Sequence, residues 1–366
     1  MNVCILTQPL GSNYGGLLQA YALQKTVSLL GHSVTTEDIR PPQNISFLQR
    51  VKTIIKKYLL GQKEQIVNIN PYFIQPATDF RNNYIKTTKS VAADDYSTFY
   101  HYNFDAYIVG SDQVWRPLYS YNIKHYFLDF LKSTKAKRIA YAASFGTDQW
   151  EFGKRSTRIC SKLAKKFDFI SVRETSGIEL CKTYLGVKAE YVLDPTLLLY
   201  KDDYVKLFER KKQQNVNKTL ITYILDYSEE KKRLIEYVVS EKKSINKLEL
   251  KKDIINMPSD SEEQMFSVEE WLEKIYNAEF VITDSFHGTV FSILFNKQFI
   301  VIGNKERGNT RIESILNLLG LEMRFTQGDI SEVRTLLQNQ IDYTAVNQKL
   351  DEKRKESLSY LKSYLQ

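Results

Sequence analysis

One short stretch of the chain concentrates side chains that could perform acid–base chemistry. It reads Asp284-Ser285-Phe286-His287-Gly288-Thr289 and lies between strand-like residues 280–283 and helix-like residues 290–296. Open α/β sheets bind ligands where a strand ends and a helix begins. His287 is one of only four histidines, and histidine is the side chain that ordinarily titrates near neutral pH. The stretch therefore predicts a functional site around His287, although Asp284 or Ser285 alone could simply cap a helix.

A glycine-rich loop between the first predicted strand and the first predicted helix is a second candidate. Its residues are Gly11, Ser12, Asn13, Tyr14 and Gly15, followed by a further glycine. Glycines allow close approach of the backbone, and the free N–H groups at the start of a helix attract anions. The spacing fits neither the dinucleotide fingerprint nor the P-loop. The loop is thus expected to bind an anion or a polar edge of a substrate.

Polar residues and a tryptophan follow another predicted strand. Asp112, Gln113 and Trp115 come directly after strand-like residues 107–109. An indole ring can stack on the face of a sugar while carboxylate and amide groups bind its hydroxyls. We predict a sugar-binding platform here, with a tight structural turn as the alternative.

Three arginines at the ends of predicted strands indicate an anion site. Arg173 follows strand-like residues 170–172, where its guanidinium could hold a carboxylate or phosphate, or only pair with Glu174 or another acid. Arg307 and Arg311 lie in a basic loop that leads into a helix. We expect these two residues and the helix N-terminus to form an anion pocket that faces His287.

Composition limits the class of protein without identifying a partner. The 366 residues are 43% hydrophobic and 26% charged, with a net charge of +8, which is typical of a globular protein of two domains and favours anionic partners. The three cysteines are too scattered for a disulfide framework, and the histidines show no metal-ligand spacing, so we expect a reducing compartment and no metal. The first residues resemble a strand rather than a signal peptide. A cytoplasmic location is expected.

Alternating strand and helix patterns predict the fold. Two successive series of such units indicate an α/β protein with two Rossmann-like domains that face each other across a cleft. We assign residues 1–210 to the first domain and 211–341 to the second, with the boundary in the polar run 210–218. The final helix-like segment, 342–366, is expected to return to the first domain.

The segment 46–60 interrupts this alternation. Its apolar residues share one helical face, and basic residues lie beside them. This pattern occurs in helices on a membrane surface, but it favours a core helix with a solvated basic face. Peripheral contact with the inner face of the membrane therefore stays open.

The combined motifs resemble the polysaccharide pyruvyl transferase family. The matching pieces run in family order over the first 320 or so residues. They are residues 11–16 with 18–23, then 109–115, 141–146, 171–174, 192–196 and 284–289. The resemblance implies a fold similar to the two-domain GT-B glycosyltransferases.

The resemblance also implies a reaction. Pyruvate would pass from phosphoenolpyruvate to two hydroxyls of one sugar as a cyclic ketal, with no metal or redox cofactor, in bacterial surface polysaccharide biosynthesis. The donor-site positions of the family match Arg173 and His287, and Ser285 stands where many relatives have an arginine. Arg307 or Arg311 could compensate for that arginine.

Roles follow for the remaining candidates. His287, with a pKa near neutral, is the expected general acid, and Asp112 or Asp284 the expected base. The acceptor, a galactose- or N-acetylmannosamine-type sugar that could be lipid-linked, would bind the glycine-rich loop and the platform of Asp112, Gln113 and Trp115. Nucleic acid is not an expected partner. Two alternatives remain: a GT-B glycosyltransferase that uses a nucleotide sugar, and a non-catalytic glycan-binding relative.

Overall fold

The computed structural model is an α/β protein built around two separate parallel sheets. It describes residues 1–40, 72–92, 103–131, 135–209, 219–242, 246–251, 264–304 and 307–366. The segment 46–60 and the expected domain boundary at 210–218 lie outside the described residues. Among the described helices, none has the length and apolar character needed to cross a bilayer.

The first sheet has six parallel strands, which are β1 (Asn2–Leu6), β2 (Ser33–Thr36), β5 (Ala106–Gly110), β6 (Lys137–Ala143), β7 (Phe169–Val172) and β8 (Glu190–Tyr191). Their order in the sheet is β2-β1-β5-β6-β7-β8. β3 (Ile39–Arg40) and β4 (Val91–Ala92) form a separate parallel pair. β5 and β7 are buried along their whole length, as expected of strands covered on both faces.

Helices follow the strands of this sheet: α1 (Tyr14–Leu29), α2 (Gln75–Tyr84), α3 (Lys154–Ala164), α4 (Thr175–Leu180) and α5 (Lys201–Phe208). A π-helical turn, Cys181–Leu185, continues α4. α1 begins at Tyr14 because the side chain of Asn13 accepts a hydrogen bond from the Gly16 N–H at 3.3 Å. Leu17, Leu18 and Leu23 of α1 are fully buried.

The second sheet has five parallel strands: β9 (Thr219–Tyr223), β10 (Asn246–Glu249), β11 (Phe280–Thr283), β12 (Gln298–Ile302) and β13 (Phe325–Thr326). Their order is β10-β9-β11-β12-β13. The helices are α6 (Glu229–Glu241), α7 (Val268–Asn277), α8 (Phe286–Leu294), α9 (Thr310–Leu319), α10 (Ile330–Gln338) and α11 (Tyr343–Tyr364). α8 starts four residues before the predicted helix, because Ser285 caps it by accepting a hydrogen bond from the Gly288 N–H.

Direct contacts join the two halves. Tyr14 of α1 stacks on Trp271 of α7, with ring centroids 5.4 Å apart, and its hydroxyl donates to the Phe266 carbonyl oxygen at 2.8 Å. The last helix, α11, lies against the first sheet, where Tyr364 stacks on Phe169 with centroids 3.9 Å apart. Residues that follow β5, β11 and β12 line a common cleft between the two sheets.

Candidate active site

A cavity of about 310 Å³ lies in the cleft between the two sheets. Both halves of the chain line it, and most of the predicted site residues reach it. Those are Ser12, Asn13, Tyr14, Asp112, Gln113, Asp284, Ser285, His287, Arg307 and Arg311. The four predicted residues that do not line it are Gly11, Gly15, Trp115 and Arg173.

Three helices begin at the wall of this cavity. They are α1, α8 and α9, whose first residues are Tyr14, Phe286 and Thr310. The start of a helix carries free N–H groups and a partial positive charge. Their convergence makes the cavity favourable for an anion.

His287 lies in the first turn of α8 and is 8% exposed. Its imidazole packs against Gly15 of α1. The contact is so close that a Cβ atom added to this glycine would lie 1.9 Å from Nδ1. On the other side, Nε2 lies 3.9 Å from Asp194 Oδ1 and has no hydrogen-bond partner among the described residues.

Burial lowers the pKa of His287 to about 4, with the charges of Arg173 and Arg311 acting in the same direction and Asp194 and Asp112 opposing them. The expectation of a pKa near neutral is wrong, because the imidazole is buried beside two guanidinium groups. At pH 7 the ligand-free ring is neutral and must gain a proton before it can act as an acid.

Arg311 is a buried cation at the cavity wall. It is 7% exposed, and its Nη2 donates to the Arg307 carbonyl oxygen at 2.9 Å. Its Nε has no hydrogen-bond partner among the residues that the structure describes. Burial, followed by the charge of Arg173, lowers the pKa of Arg311 to about 10. Negative charge in the cavity would offset the charge of Arg173 and the cost of burying the Arg311 guanidinium.

Arg307 and Ser285 line the same wall but already have partners. Arg307 forms a two-point ion pair with Asp226, with nitrogen–oxygen distances of 2.5 and 3.2 Å, and its side chain is 40% exposed. Ser285 caps α8 through its hydroxyl. Arg311 is therefore the better placed of the two predicted arginines to receive an anion.

Arg173 lies behind the cavity, so it does not make the expected direct contact with a carboxylate or phosphate in the cavity. Its guanidinium is fully buried and donates to Asp194 at 2.6 Å and to Asp112 at 3.3 Å. The alternative of an ion pair with another acid is what the structure contains. Glu174 instead accepts backbone hydrogen bonds from Phe145 and Gly146.

Trp115 is not a sugar platform. Its indole is fully buried, stacks on Phe127 with centroids 4.9 Å apart, and donates to the Tyr126 carbonyl oxygen at 2.9 Å. The prediction is wrong because the aromatic residues that follow it along the chain close over the ring.

Both carboxylate oxygens of Asp284 already accept hydrogen bonds from other residues. They accept from the backbone N–H groups of Leu225 and Asp226 at 2.6 and 3.2 Å, from Lys231 Nζ at 2.7 Å and from the Asn304 amide at 2.9 Å. These four donors occupy the lone pairs through which the carboxylate would bind a substrate proton. The structure therefore gives Asp284 an architectural part rather than the expected role of a base.

Asp112 is the better placed of the two predicted bases. It lines the cavity with a positive φ of 63°, an uncommon conformation for a residue other than glycine. Its Oδ1 accepts from the Gln113 N–H at 2.8 Å and from Arg173 at 3.3 Å. Both interactions fix the carboxylate at the wall of the cavity.

Sequence reasoning missed Asp194, which the structure places between Arg173 and His287. Asp194 is buried and accepts from Ser111 at 2.9 Å and from the Thr196 hydroxyl at 2.6 Å. Its place in the piece 192–196 that resembles the family was the available signal. Among the described residues, no group of three or more His, Cys, Asp or Glu side chains could hold a metal ion.

The protein is thus an α/β protein of GT-B-like architecture, with a cavity between its two sheets that favours anions. The family model of polysaccharide pyruvyl transferases then matches residues 13–306. The chain belongs to the polysaccharide pyruvyl transferase family, and the resemblance inferred from its motifs is confirmed. No curated protein matches it significantly.

Three solved structures illustrate the fold that this chain shares. A UDP complex of S. aureus MnaA has 9% identity and a TM-score of 0.52, covering 100% of this chain and 97% of that one. A putative UDP-N-acetylglucosamine 2-epimerase of Listeria monocytogenes has 9% identity and a TM-score of 0.53, with coverages of 97% and 90%. The UDP-GlcNAc 2-epimerase of Methanocaldococcus jannaschii has 9% identity and a TM-score of 0.51, with both coverages 93%. At such identities the likeness shows the fold alone.

Proposed function

We propose that the protein transfers pyruvate from phosphoenolpyruvate to two hydroxyls of one sugar, forming a cyclic ketal in bacterial surface polysaccharide biosynthesis. The observation that carries this proposal is the cavity in which the buried cation Arg311 and three helix N-termini lie around His287. Membership of the pyruvyl transferase family supports the same reaction.

The donor fits the electrostatics of the cavity. Phosphoenolpyruvate carries close to three negative charges at neutral pH. Arg311 supplies a buried cation, and the starts of α1, α8 and α9 supply backbone N–H groups. Such a site lowers the cost of removing the anion from water.

The reaction needs proton transfer in its first step. A sugar hydroxyl bonds to the central carbon of phosphoenolpyruvate while a proton reaches the methylene carbon, and the second hydroxyl then displaces phosphate. His287 is neutral before binding, and a bound anion raises the pKa of a neighbouring imidazole. His287 is thus suited to take up and return a proton, with Asp112 as the candidate second base. The proposed chemistry requires no redox cofactor or metal.

The acceptor would occupy the part of the cavity nearest the first sheet. Ser12, Asn13 and Gln113 line that part and offer polar groups to sugar hydroxyls. Tyr14 also lines it, although its hydroxyl is already bonded to Phe266. A galactose- or N-acetylmannosamine-type sugar, free or lipid-linked, is the proposed acceptor.

The test combines turnover with binding. Incubation with phosphoenolpyruvate and a panel of galactosides and N-acetylmannosaminides should give a product whose mass equals acceptor plus pyruvate minus water. Thermal shift with a nucleotide sugar in place of phosphoenolpyruvate tests the glycosyltransferase alternative, since a true ligand stabilises the fold. Stabilisation by a nucleotide sugar alone, with no pyruvylated product, would overturn the proposal.

A substitution of Arg311 tests where phosphoenolpyruvate binds. Arg311→Lys should weaken phosphoenolpyruvate binding about tenfold or more, because lysine keeps the charge and loses the planar donor set. The matched control is Arg324→Lys, because Arg324 is also buried but donates to the Leu336 and Asn339 carbonyl oxygens outside the cavity. Calorimetry should show an unchanged dissociation constant for the control. Equal constants for both variants would remove Arg311 from the donor site.

A further inference from the structure

The neutral imidazole of His287 carries one proton, and its position decides which nitrogen can accept another. Either ring nitrogen of a neutral histidine can hold that proton, and the hydrogen-bonding surroundings select between them. The surroundings of Nδ1 and Nε2 in His287 differ sharply in charge.

Nε2 faces an ionised carboxylate. Its distance to Asp194 Oδ1 is 3.9 Å, and both side chains are buried. Burial alone would raise the pKa of Asp194, but the charge of Arg173, then that of a protonated His287, and hydrogen bonds from Thr196 and Arg173 lower it to about 2. A carboxylate repels a nitrogen lone pair and attracts an N–H group. The proton is therefore favoured on Nε2.

Nδ1 lies on the opposite side of the ring, against the first turn of α1. A Cβ atom on Gly15 would come within 1.9 Å of Nδ1, so the ring and the helix start are in direct contact. The start of a helix presents N–H groups and partial positive charge, which favour a lone pair over another N–H. This second observation selects the same tautomer independently of Asp194.

We propose that Asp194 is a positioning residue that keeps the proton of His287 on Nε2 and leaves Nδ1 as the nitrogen that exchanges protons with a bound ligand. The assignment of the tautomer does not depend on the proposed function, whereas the exchange step rests on it. In that step the sugar hydroxyl oxygen bonds to the central carbon, the C=C π bond breaks, and the hydroxyl proton passes through Nδ1 to the methylene carbon. His287 ends the step as it began.

The charged groups around His287 also determine how readily its imidazole holds a second proton during the reaction. When Nδ1 holds the extra proton, the imidazolium faces Asp194 and Asp112, which stabilise it, and Arg173 and Arg311, which oppose it. Negative charge on a ligand at Arg311 shifts this balance toward the protonated ring. Donor binding and protonation of Nδ1 are thus coupled.

Nitrogen NMR of the full-length protein tests the tautomer without any substrate. Protein labelled with ¹⁵N in histidine contains four imidazoles, and the His287→Gln variant assigns the signal that disappears. We expect His287 at pH 7.5 to have a protonated Nε2 and an unprotonated Nδ1. A protonated Nδ1 in the wild-type protein would overturn the proposal, whether or not the enzyme turns over phosphoenolpyruvate.

Asp194→Asn tests the role of the carboxylate. We expect the Nδ1–H form to become populated and kcat to fall by about 100-fold or more, with KM for phosphoenolpyruvate changed less than about threefold. Asp38→Asn is the control, because Asp38 is a buried, ion-paired aspartate outside the cavity and should leave the His287 signals unchanged. An Asp194→Asn protein that is folded and keeps the wild-type tautomer would show that Asp194 does not position His287. If that variant does not fold, the wild-type spectrum still decides the tautomer.

Discussion

His287 owes its position to the absence of a side chain on Gly15. The imidazole occupies the space that a Cβ atom would take at that position. Gly15 has no positive φ, so its backbone would accept alanine, and it lies in a helix where alanine is ordinarily preferred. The constraint on Gly15 is therefore steric contact with the imidazole.

Gly15→Ala should lower activity strongly and destabilise the fold by about 1–3 kcal/mol, because the new methyl group collides with Nδ1. The Gly15→Ala/His287→Ala double variant should regain stability relative to Gly15→Ala, because the methyl group then enters vacated space. Chemical denaturation of the four proteins measures this coupling. Gly153→Ala is the control, since nothing lies within 4 Å of its Cβ position. Additive effects of the two substitutions would contradict the contact.

The lowered pKa of His287 predicts how stability depends on pH. The unfolded imidazole titrates near pH 6.5 and the folded one near 4. Between these values the unfolded state binds more protons, so the neutral form stabilises the fold fully above pH 6.5, and this contribution is lost as pH falls toward 4. The full loss corresponds to about 3 kcal/mol.

Denaturation from pH 7.5 to 4 should show a smaller loss of stability for His287→Gln than for the wild-type protein. The difference between the two curves gives the contribution of the His287 imidazole to stability, separate from that of other titrating groups. Parallel curves would mean that His287 titrates near its ordinary pKa.

At the scale of elements, the site is made where strands end and helices begin. β11 leads directly into α8 through Asp284 and Ser285. Asp284 ties this turn to the loop after β9 through the Leu225 and Asp226 N–H groups, and Ser285 sets the first residue of the helix. The turn thereby fixes the direction in which His287 leaves the backbone.

Ser285→Ala should cost about 1 kcal/mol of stability through loss of the cap, and it should also lower turnover, because the first turn of α8 holds His287. Ser228 is a matched control: it caps α6 with the same 3.3 Å bond, outside the cavity. Ser228→Ala should cost similar stability and leave kcat/KM unchanged. Equal losses of turnover in both variants would show that Ser285 acts only through global stability.

At the scale of the whole molecule, the last helix connects the halves that form the cleft. α11 packs on α9 of the second half and reaches the first sheet, where the Ser357 hydroxyl accepts from the Leu193 N–H at 3.1 Å. Leu361 of this helix is fully buried. Helix α11 should therefore stabilise both halves together.

Leu361→Ala should reduce the free energy of unfolding by about 2–5 kcal/mol, because it opens a cavity in a packed core. Leu29→Ala, at a leucine that is 72% exposed, should change it by less than about 0.5 kcal/mol. Circular dichroism during urea denaturation gives both values. A loss of less than 1 kcal/mol for Leu361→Ala would mean that α11 is only loosely attached.

Sequence patterns predicted the family, the alternation of strands and helices, and the stretches that meet at the cavity. These features follow from local patterns: apolar runs define buried strands, and a polar residue before a periodic segment marks a helix start. Because parallel strands place their carboxyl ends on one edge of a sheet, His287 and Arg311 could be expected together at the edge of the second sheet, and Asp112 at the edge of the first.

Which of these residues face the cavity, and which are used in packing, depends on the folded chain. Trp115 is enclosed by aromatic rings, and Arg173 is held by Asp112 and Asp194, which lie 61 and 21 residues away along the chain. The pKa of His287 likewise depends on burial and on charges brought close by folding. Local patterns place a side chain at the end of a strand. Its partners, exposure and protonation depend on distant residues that meet only in the folded chain.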